Sequence, residues 1–307
     1  MFDLIIIGGG PAAFSAAIYA GRKKLKTLIL TANIGGQIAQ QPTVENYAGY
    51  LEKGGFKLAQ NMKAQIKGME TVELKEGVEF KAAALAEKDG FFSVACEKEN
   101  FDCRSVIVAA GKHPRELGVS GEKEFYNKGV TYCAVCDAPL FAGKITAVVG
   151  GGNTALDFAL LLAKFAEKVY LIHRRKEFTG DIVSLDKVKT NAKIEIITDT
   201  VVEKISGDKF VSGVIVKNAV SGEIKEIKLE GVFVAIGSIP NTEFVKDLVK
   251  LNEYGEIIID HKTCETNVPG IFAAGDITDV VEKQAIIAAG DGAKAALSAD
   301  KWLQKNF

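Results

Sequence analysis

Cys133-Ala134-Val135-Cys136 is the one C-x-x-C pair in a chain of five cysteines. Two thiols at this spacing can close a small reducible disulfide, and the arrangement can lower the pKa of one of them. Zinc would ask for a second pair or for two histidines at finger spacing. Cys96, Cys103 and Cys264 form no second pair, and His113, His173 and His261 do not have that spacing. A redox pair is therefore favoured and no metal site is expected. Asp137 follows directly. It could relay a proton to or from a leaving thiolate, cap a helix beginning just after the motif, or do both. The remaining three cysteines are expected to be buried thiols.

Two other stretches act through backbone rather than side chains. Gly8-Gly9-Gly10-Pro11-Ala12-Ala13 and Gly150-Gly151-Gly152-Asn153-Thr154-Ala155 both read G-x-G-x-x-A. In such a loop the first Gly allows a tight turn and the second lets N–H groups approach a pyrophosphate. The third small residue lets helix pack on strand, and the helix N-terminus attracts the anion. One loop of this kind can be purely structural; two in the same context argue for two dinucleotides, a flavin and a nicotinamide. After its second strand the later unit gives His173-Arg174-Arg175-Lys176, cations that suit a 2′-phosphate and hence NADPH, the plain alternative being a solvated basic strand end. The earlier unit gives Thr31-Ala32-Asn33, neither acid nor cation, which leaves FAD. Arg22-Lys23-Lys24 ends the first helix and is given no functional weight.

The elements that must position these residues repeat one idea. Asp3–Ile7 and Ile145–Val149 read as buried parallel strands, each running through its glycine loop into a helical stretch, Phe14–Gly21 and Leu156–Ala166. Thr27–Leu30 and Val169–Ile172 are the second strands. Ser105–Gly111 and Gly231–Gly237 are matching apolar strands ending in Gly, preceded by hairpin-like segments at Val78–Ala82, Phe91–Cys96, Ser212–Lys217 and Glu223–Leu229. Pro269–Asp276 is a strand feeding a turn, then the helical stretch Gln284–Lys301, and has no glycine loop of its own. It most simply returns to the first sheet. The expected fold is α/β with two Rossmann-like dinucleotide-binding domains, the NADPH domain inserted into the FAD domain. The FAD domain takes 1–113 and 242–307, and the inserted domain with the cysteine pair takes 114–241.

Composition agrees. The 307 residues suit about two domains, and 48% hydrophobic with 25% charged is ordinary for a soluble globular protein, which excludes disorder, collagen and coiled coil. With 38 basic and 39 acidic residues, net charge −1, no bulk field draws nucleic acid or acidic lipid. Five cysteines at this length are no disulfide scaffold. Leu4–Gly21 is uncharged, but Asp3 precedes it and Gly8-Gly9-Gly10-Pro11 interrupts it, which suits neither an export signal nor a spanning helix. A cytoplasmic protein with no nucleic-acid or membrane partner is expected.

Together these residues resemble the low-molecular-weight thioredoxin reductases over essentially the whole chain. Further markers are Gly35-Gly36-Gln37, Val44-Glu45-Asn46, Ala235-Ile236-Gly237, Pro240-Asn241-Thr242, Gly275-Asp276 and Gln284-Ala285-Ile286. The resemblance implies FAD held by Gly8, Gly10, Pro11, Ala12 and Ala13, with Thr31, Gly36, Gln37, Asn46 and Gly111, and from the returning segment Gly275, Asp276, Lys283, Gln284 and Ala285. Asp276 looks like the family's contact to the flavin's polyol chain. It implies NADPH at Gly150, Gly152, Asn153, Thr154 and Ala155, with His173, Arg174, Arg175 and Ile236. Cys136 would accept electrons from the flavin, and Cys133 would attack the disulfide of thioredoxin or a thioredoxin-like protein, with Asp137 as proton relay. A homodimer and a rotation of the inserted domain are family expectations. The chain departs from the pattern at Thr179, where the family commonly has Arg, and at Ala138-Pro139, where it has Gly after C-x-x-C-D. Competing readings are a relative using NADH or another donor, and the flavoprotein reductase of a peroxiredoxin system. That relative usually carries N-terminal thioredoxin-like domains, whereas here the loop starts at Gly8. A non-enzymatic dinucleotide-binding sensor is the reading from a different class.

Overall fold

The computed structural model describes residues 1–41, 44–78, 84–88, 90–96 and 99–307, with 84–88 as backbone alone. They fall into two compact units, residues 1–113 with 239–307, and residues 114–238.

The first unit opens with β1 (Phe2–Ile7), whose Leu4, Ile5, Ile6 and Ile7 are all fully buried, as a central parallel strand covered on both faces requires. Pro11 starts α1 (Pro11–Arg22), a position where its missing N–H costs nothing. Then come β2 (Thr27–Thr31), α2 (Gly55–Ile66) and β3 (Val72–Glu76), followed by the antiparallel pair β4 (Ala84–Lys88) and β5 (Phe91–Ala95) and the long β6 (Asn100–Val108). The sheet order is β3-β2-β1-β6-β5-β4, with β1, β2 and β3 parallel. Beyond Val78, the expected strand Val78–Ala82 lies outside the described residues.

After β7 (Lys112–Pro114) the chain enters the second unit with β8 (Val130–Thr131), the short α3 (Ala134–Asp137), β9 (Ile145–Val149), α4 (Asn153–Leu162), β10 (Lys168–Ile172), α5 (Ile182–Thr190) and β11 (Ile194–Ile197). An antiparallel sheet of β12 (Thr200–Gly207), β13 (Val211–Asn218) and β14 (Ile224–Lys228) precedes β15 (Gly231–Val234). The parallel sheet is ordered β11-β10-β9-β15-β8. α4 is shorter than the expected Leu156–Ala166. Lys164 and Phe165 donate to Leu161 and Leu162, three residues back, so the last turn tightens out of the α geometry.

The chain returns through β16 (Ser238–Pro240), which pairs with β7, and adds β17 (Ile271–Ala273) parallel to β6 in the first sheet. β6 therefore serves two partners on one side: Cys103 pairs with Phe92 of β5, and Val106–Val108 pair with β17. The final helix α6 (Ala285–Asn306) packs on α1 through alanines of both, closely enough that a Cβ at Gly292 would stand 2.0 Å from the Ala12 carbonyl oxygen. No helix among the described residues is long and apolar enough to cross a membrane.

Candidate active site and dinucleotide cradles

Cys133 and Cys136 form a disulfide, with an S–S distance of 2.13 Å and Cα atoms 5.4 Å apart. The pair sits where β8 turns into α3. Cys133 is in extended backbone and is itself the N-cap of α3, its Sγ accepting from the Cys136 N–H at 3.2 Å. That donor would stabilise a thiolate on Cys133 once the bond opens. Asp137 is the last residue of α3 and only 4% exposed. Its side chain caps no helix, so of the two sequence readings the capping one does not hold. The Thr131 hydroxyl instead donates to Asp137 Oδ2, while Oδ1 is buried without a hydrogen-bond partner among the described residues. Burial pushes the Asp137 carboxyl above the usual carboxylate range, and the Thr131 hydrogen bond pulls the other way.

The loop before the pair is pinned by a carboxylate that no sequence motif marks. Glu122, 1% exposed, accepts from the Leu117 and Gly118 N–H groups at 2.8 and 2.7 Å and from the Tyr132 hydroxyl at 3.0 Å. Ala134 and Ala138 share a core with Ala155, Leu156 and Ala159 of α4, so the reactive turn is built on the helix that follows the second glycine loop. Of the other cysteines, Cys103 and Cys264 are buried, and burial pushes both thiols up to about 12. Cys96 departs from expectation: it directly follows β5 and is half-buried.

The two loops share one geometry. Gly8 (φ +137°) and Gly150 (φ +154°) would each place a Cβ 2.2 Å from a carbonyl oxygen, of Ala109 and Ala235 respectively, so no side chain fits. Gly10 and Gly152 differ. Their nearest neighbours to a Cβ are 4.0 Å (Gly35 O) and 3.8 Å (Thr179 Oγ1) away, and the helices they start, α1 and α4, have no side-chain cap. Open space at the second glycine and uncapped first-turn N–H groups are what a pyrophosphate needs.

Around the first loop, segments distant in sequence converge. Gly36 would place a Cβ 3.5 Å from the Gly10 Cα, and Gly275 packs against Ala12 and Ala288, which sets Asp276 beside the start of α1. Asn46 Nδ2 donates to Gln284 Oε1 at 3.1 Å, at the residue preceding Ala285, and Gln37 Nε2 donates to the Lys112 carbonyl at 2.7 Å. The Asn241 side chain donates to the Ala110 carbonyl and its N–H to that of Gly111, at 2.7 and 3.0 Å. Thr31 turns its hydroxyl inward to the Asn33 carbonyl (2.7 Å), directly beneath Gly9. Glu256 joins the ends of this region. Lys112 pairs with its Oε1, Lys283 Nζ lies 3.2 Å from the same oxygen, and Asn252 donates to Oε2 at 2.6 Å. Burial alone would raise the Glu256 carboxyl, but the hydrogen bonds from Lys112 and Asn252 and the charges of both lysines hold it below its ordinary value. Burial raises Asp276, against the charges of Lys283 and Lys112.

Around the second loop, His173 is a floor rather than an open ligand. A Cβ at Gly151 would lie 2.2 Å from its buried ring, and Nε2 is 3.0 Å from the Glu177 carbonyl oxygen. Burial, then the charges of Arg174 and Arg175, lower its pKa, although the Glu177 carbonyl works against them. Arg174, Arg175 and Lys176 are exposed and make no ion pair among the described residues. Thr179 donates from both N–H and hydroxyl to the Gly151 carbonyl, at 2.9 and 3.3 Å, and Asn153 Oδ1 accepts from the Asp181 N–H at 2.6 Å. Thr154 lies exposed in the first turn of α4, and Ile236 follows the Ala235 carbonyl that crowds Gly150.

Residues 2–292 match the pyridine nucleotide-disulphide oxidoreductase family. The chain is 43% identical over 305 residues to a thioredoxin reductase of Spironucleus barkhanus, covering 99% of both. The crystal structure of thioredoxin reductase from Streptococcus pyogenes MGAS5005 superposes with a TM-score of 0.91 at 36% identity, over 99% of each chain. An alkyl hydroperoxide reductase protein of Staphylococcus aureus is 39% identical over 306 residues, and there the chain spans 60% of the relative's length. The chain belongs to the pyridine nucleotide-disulphide oxidoreductase family, in the group formed by the thioredoxin reductases.

Proposed function

We propose that this protein is an FAD-dependent NADPH:thioredoxin-disulfide oxidoreductase, acting in the cytoplasm as a homodimer. The observation that carries the reading is the Cys133–Cys136 disulfide, with a buried carboxyl beside it, in a chain that also has two open pyrophosphate cradles.

Residues 8–13 with Gly36, Asp276, Gln284 and Ala285 would hold FAD, and residues 150–155 with Arg174 and Arg175 would hold NADPH. When bound, FAD supplies a two-electron relay between nicotinamide and disulfide. The protein's own residues do the rest. Cys136 takes the electron pair as the Cys133–Cys136 bond opens. Cys133, whose sulfur already accepts the Cys136 N–H, becomes the nucleophile toward thioredoxin. Asp137 moves the proton. Arg174 and Arg175 present forked donors to a 2′-phosphate, while His173 supports the loop.

Thr179 favours a second reading for the donor. Its hydroxyl is spent on the Gly151 carbonyl and adds no cation to the basic run, so NADH would compete better here than where an arginine stands.

Replacing both Cys133 and Cys136 with Ser tests the central assignment. The variant should retain FAD and lose NADPH-driven reduction of oxidised thioredoxin. Full turnover by the double variant would remove the assignment.

A further inference from the structure

Asp137 is a carboxyl group carried into the interior, where the Thr131 hydroxyl donates to its Oδ2. The donor of that bond is itself fixed. Thr131 Oγ1 accepts the Cys133 N–H at 3.2 Å, and a hydroxyl has one proton to give. With a lone pair taken by the amide, the proton points to Asp137 Oδ2. A single hydroxyl at the end of β8 thus ties the backbone of the first reactive cysteine to the carboxylate that follows the second.

We propose that Thr131 is a positioning residue for the disulfide chemistry, its hydroxyl clamped between the Cys133 amide and Asp137 Oδ2 so that Oδ1 is left as the oxygen that takes and gives the proton. This rests on the reading of Cys133–Cys136 as the reacting pair. In the step concerned, the Cys133 thiol gives its proton to Asp137 Oδ1, and the thiolate attacks one sulfur of a protein disulfide. That S–S bond breaks, and the departing thiolate takes one proton. The Cys136 thiol then gives up its proton and attacks Cys133, closing the Cys133–Cys136 bond and expelling the second thiolate, which takes the other proton. The pair loses two electrons and two protons, and the substrate gains them. Asp137 is the group through which a proton passes from one to the other, and it can do so only if its free oxygen is held in one place.

The hydroxyl also sets the balance of charge. Donation to Oδ2 favours the carboxylate, while burial favours the acid. Other polar and charged groups stand on the elements around Asp137. The charge of Asp137 helps to raise the Tyr126 phenol; Tyr132 gives its proton to Glu122; and the charged residue of α4, packed against α3, is the exposed Asp157. Tyr132, whose proton is given to Glu122, does not take the place of the Thr131 hydroxyl. Removing the Thr131 hydroxyl therefore makes Asp137 a weaker acid.

The test is the pH profile of thioredoxin reduction by the holoenzyme, for wild type, Thr131→Val, Thr131→Ser and Asp137→Asn. The last of these identifies the limb due to the thiols alone. Thr131→Val should lower kcat roughly tenfold near neutral pH, the worth of one hydrogen bond to a charged group. It should also move the Asp137 limb to higher pH, and Thr131→Ser should restore both. Reduction of the flavin by NADPH should be the same in the three variants as in the wild type. If Thr131→Val does not accumulate as folded flavoprotein, Thr131→Ala removes the same hydroxyl and is read in the same way. An unshifted limb in the variant lacking the hydroxyl would overturn the proposal while leaving the reading of the pair intact. A wild type that performs no NADPH-driven disulfide reduction would overturn both.

Discussion

Asp137 and Arg174 are charged groups whose surroundings give them opposite tasks. Asp137 is buried, and burial raises its carboxyl against the pull of the Thr131 hydrogen bond, the setting of a group that gives and takes a proton. Asp137→Asn should cut turnover of oxidised thioredoxin by about 10²–10⁴, the range for loss of a positioned acid–base group, with FAD content and flavin reduction by NADPH unaffected. Arg174 is exposed and free of ion pairs among the described residues. Arg174→Ala should weaken NADPH by about 1.5–3 kcal/mol and leave NADH nearly unchanged, measured as the ratio of the two kcat/KM values. Equal losses would remove the 2′-phosphate assignment. At this scale the sequence discloses what is local. The C-x-x-C-D run and both glycine loops are legible because their chemistry lies in adjacent residues. Thr131, Glu122 and Glu256 are not, because an ordinary Thr or Glu gains its role from a partner brought by folding. The one faint signal is at Thr131, a polar residue closing the short apolar strand before the pair.

Among the elements, the strand–loop–helix units are read most easily, since buried runs such as Leu4–Ile7 and Ala147–Val149 can only be central parallel strands once a glycine loop follows each. What stays illegible depends on packing. α4 stops at Leu162 although Ala163, Phe165 and Ala166 continue its apolar pattern, and the inserted unit ends at Ser238, just before the linker-like Pro240–Thr242 stretch. The loops give a prediction about which glycines serve folding and which serve binding. Gly10 and Gly152 have ordinary room for a Cβ. Gly10→Val and Gly152→Val should therefore fold with little change in thermal midpoint. The first should lose FAD from the purified protein, and the second should raise the KM for NADPH at least tenfold through steric loss of a phosphate contact. Gly8→Ala and Gly150→Ala meet a carbonyl oxygen at 2.2 Å and should fail at folding instead. Normal cofactor binding in both valine variants would show that the cradles are structural only.

Taken whole, the molecule depends on its chain ends meeting in one unit. α1 packs on α6, β17 completes the first sheet, and Glu256 joins Lys112 to Lys283. The Glu256 carboxyl is held below its ordinary value of 4.5, so it binds fewer protons folded than unfolded near that pH. Its contribution to stability is then present above the ordinary value and disappears as pH falls through the lowered one. Glu256→Gln should lower stability at neutral pH by about 1–3 kcal/mol, the range for losing charged hydrogen bonds at a partly buried site, and should flatten the acid limb of unfolding followed by circular dichroism. An unchanged acid limb would mean that other carboxylates carry it. The central claim spans both units: electrons from NADPH reach the Cys133–Cys136 disulfide by way of FAD. Its most direct test is an anaerobic titration of the purified flavoprotein with NADPH, read from the visible flavin spectrum. Flavin and disulfide are each two-electron couples, so the wild type should take up about two NADPH per FAD and the Cys133→Ser, Cys136→Ser variant about one. A wild type that takes up only one would contradict the claim, because the disulfide would then lie outside the electron path.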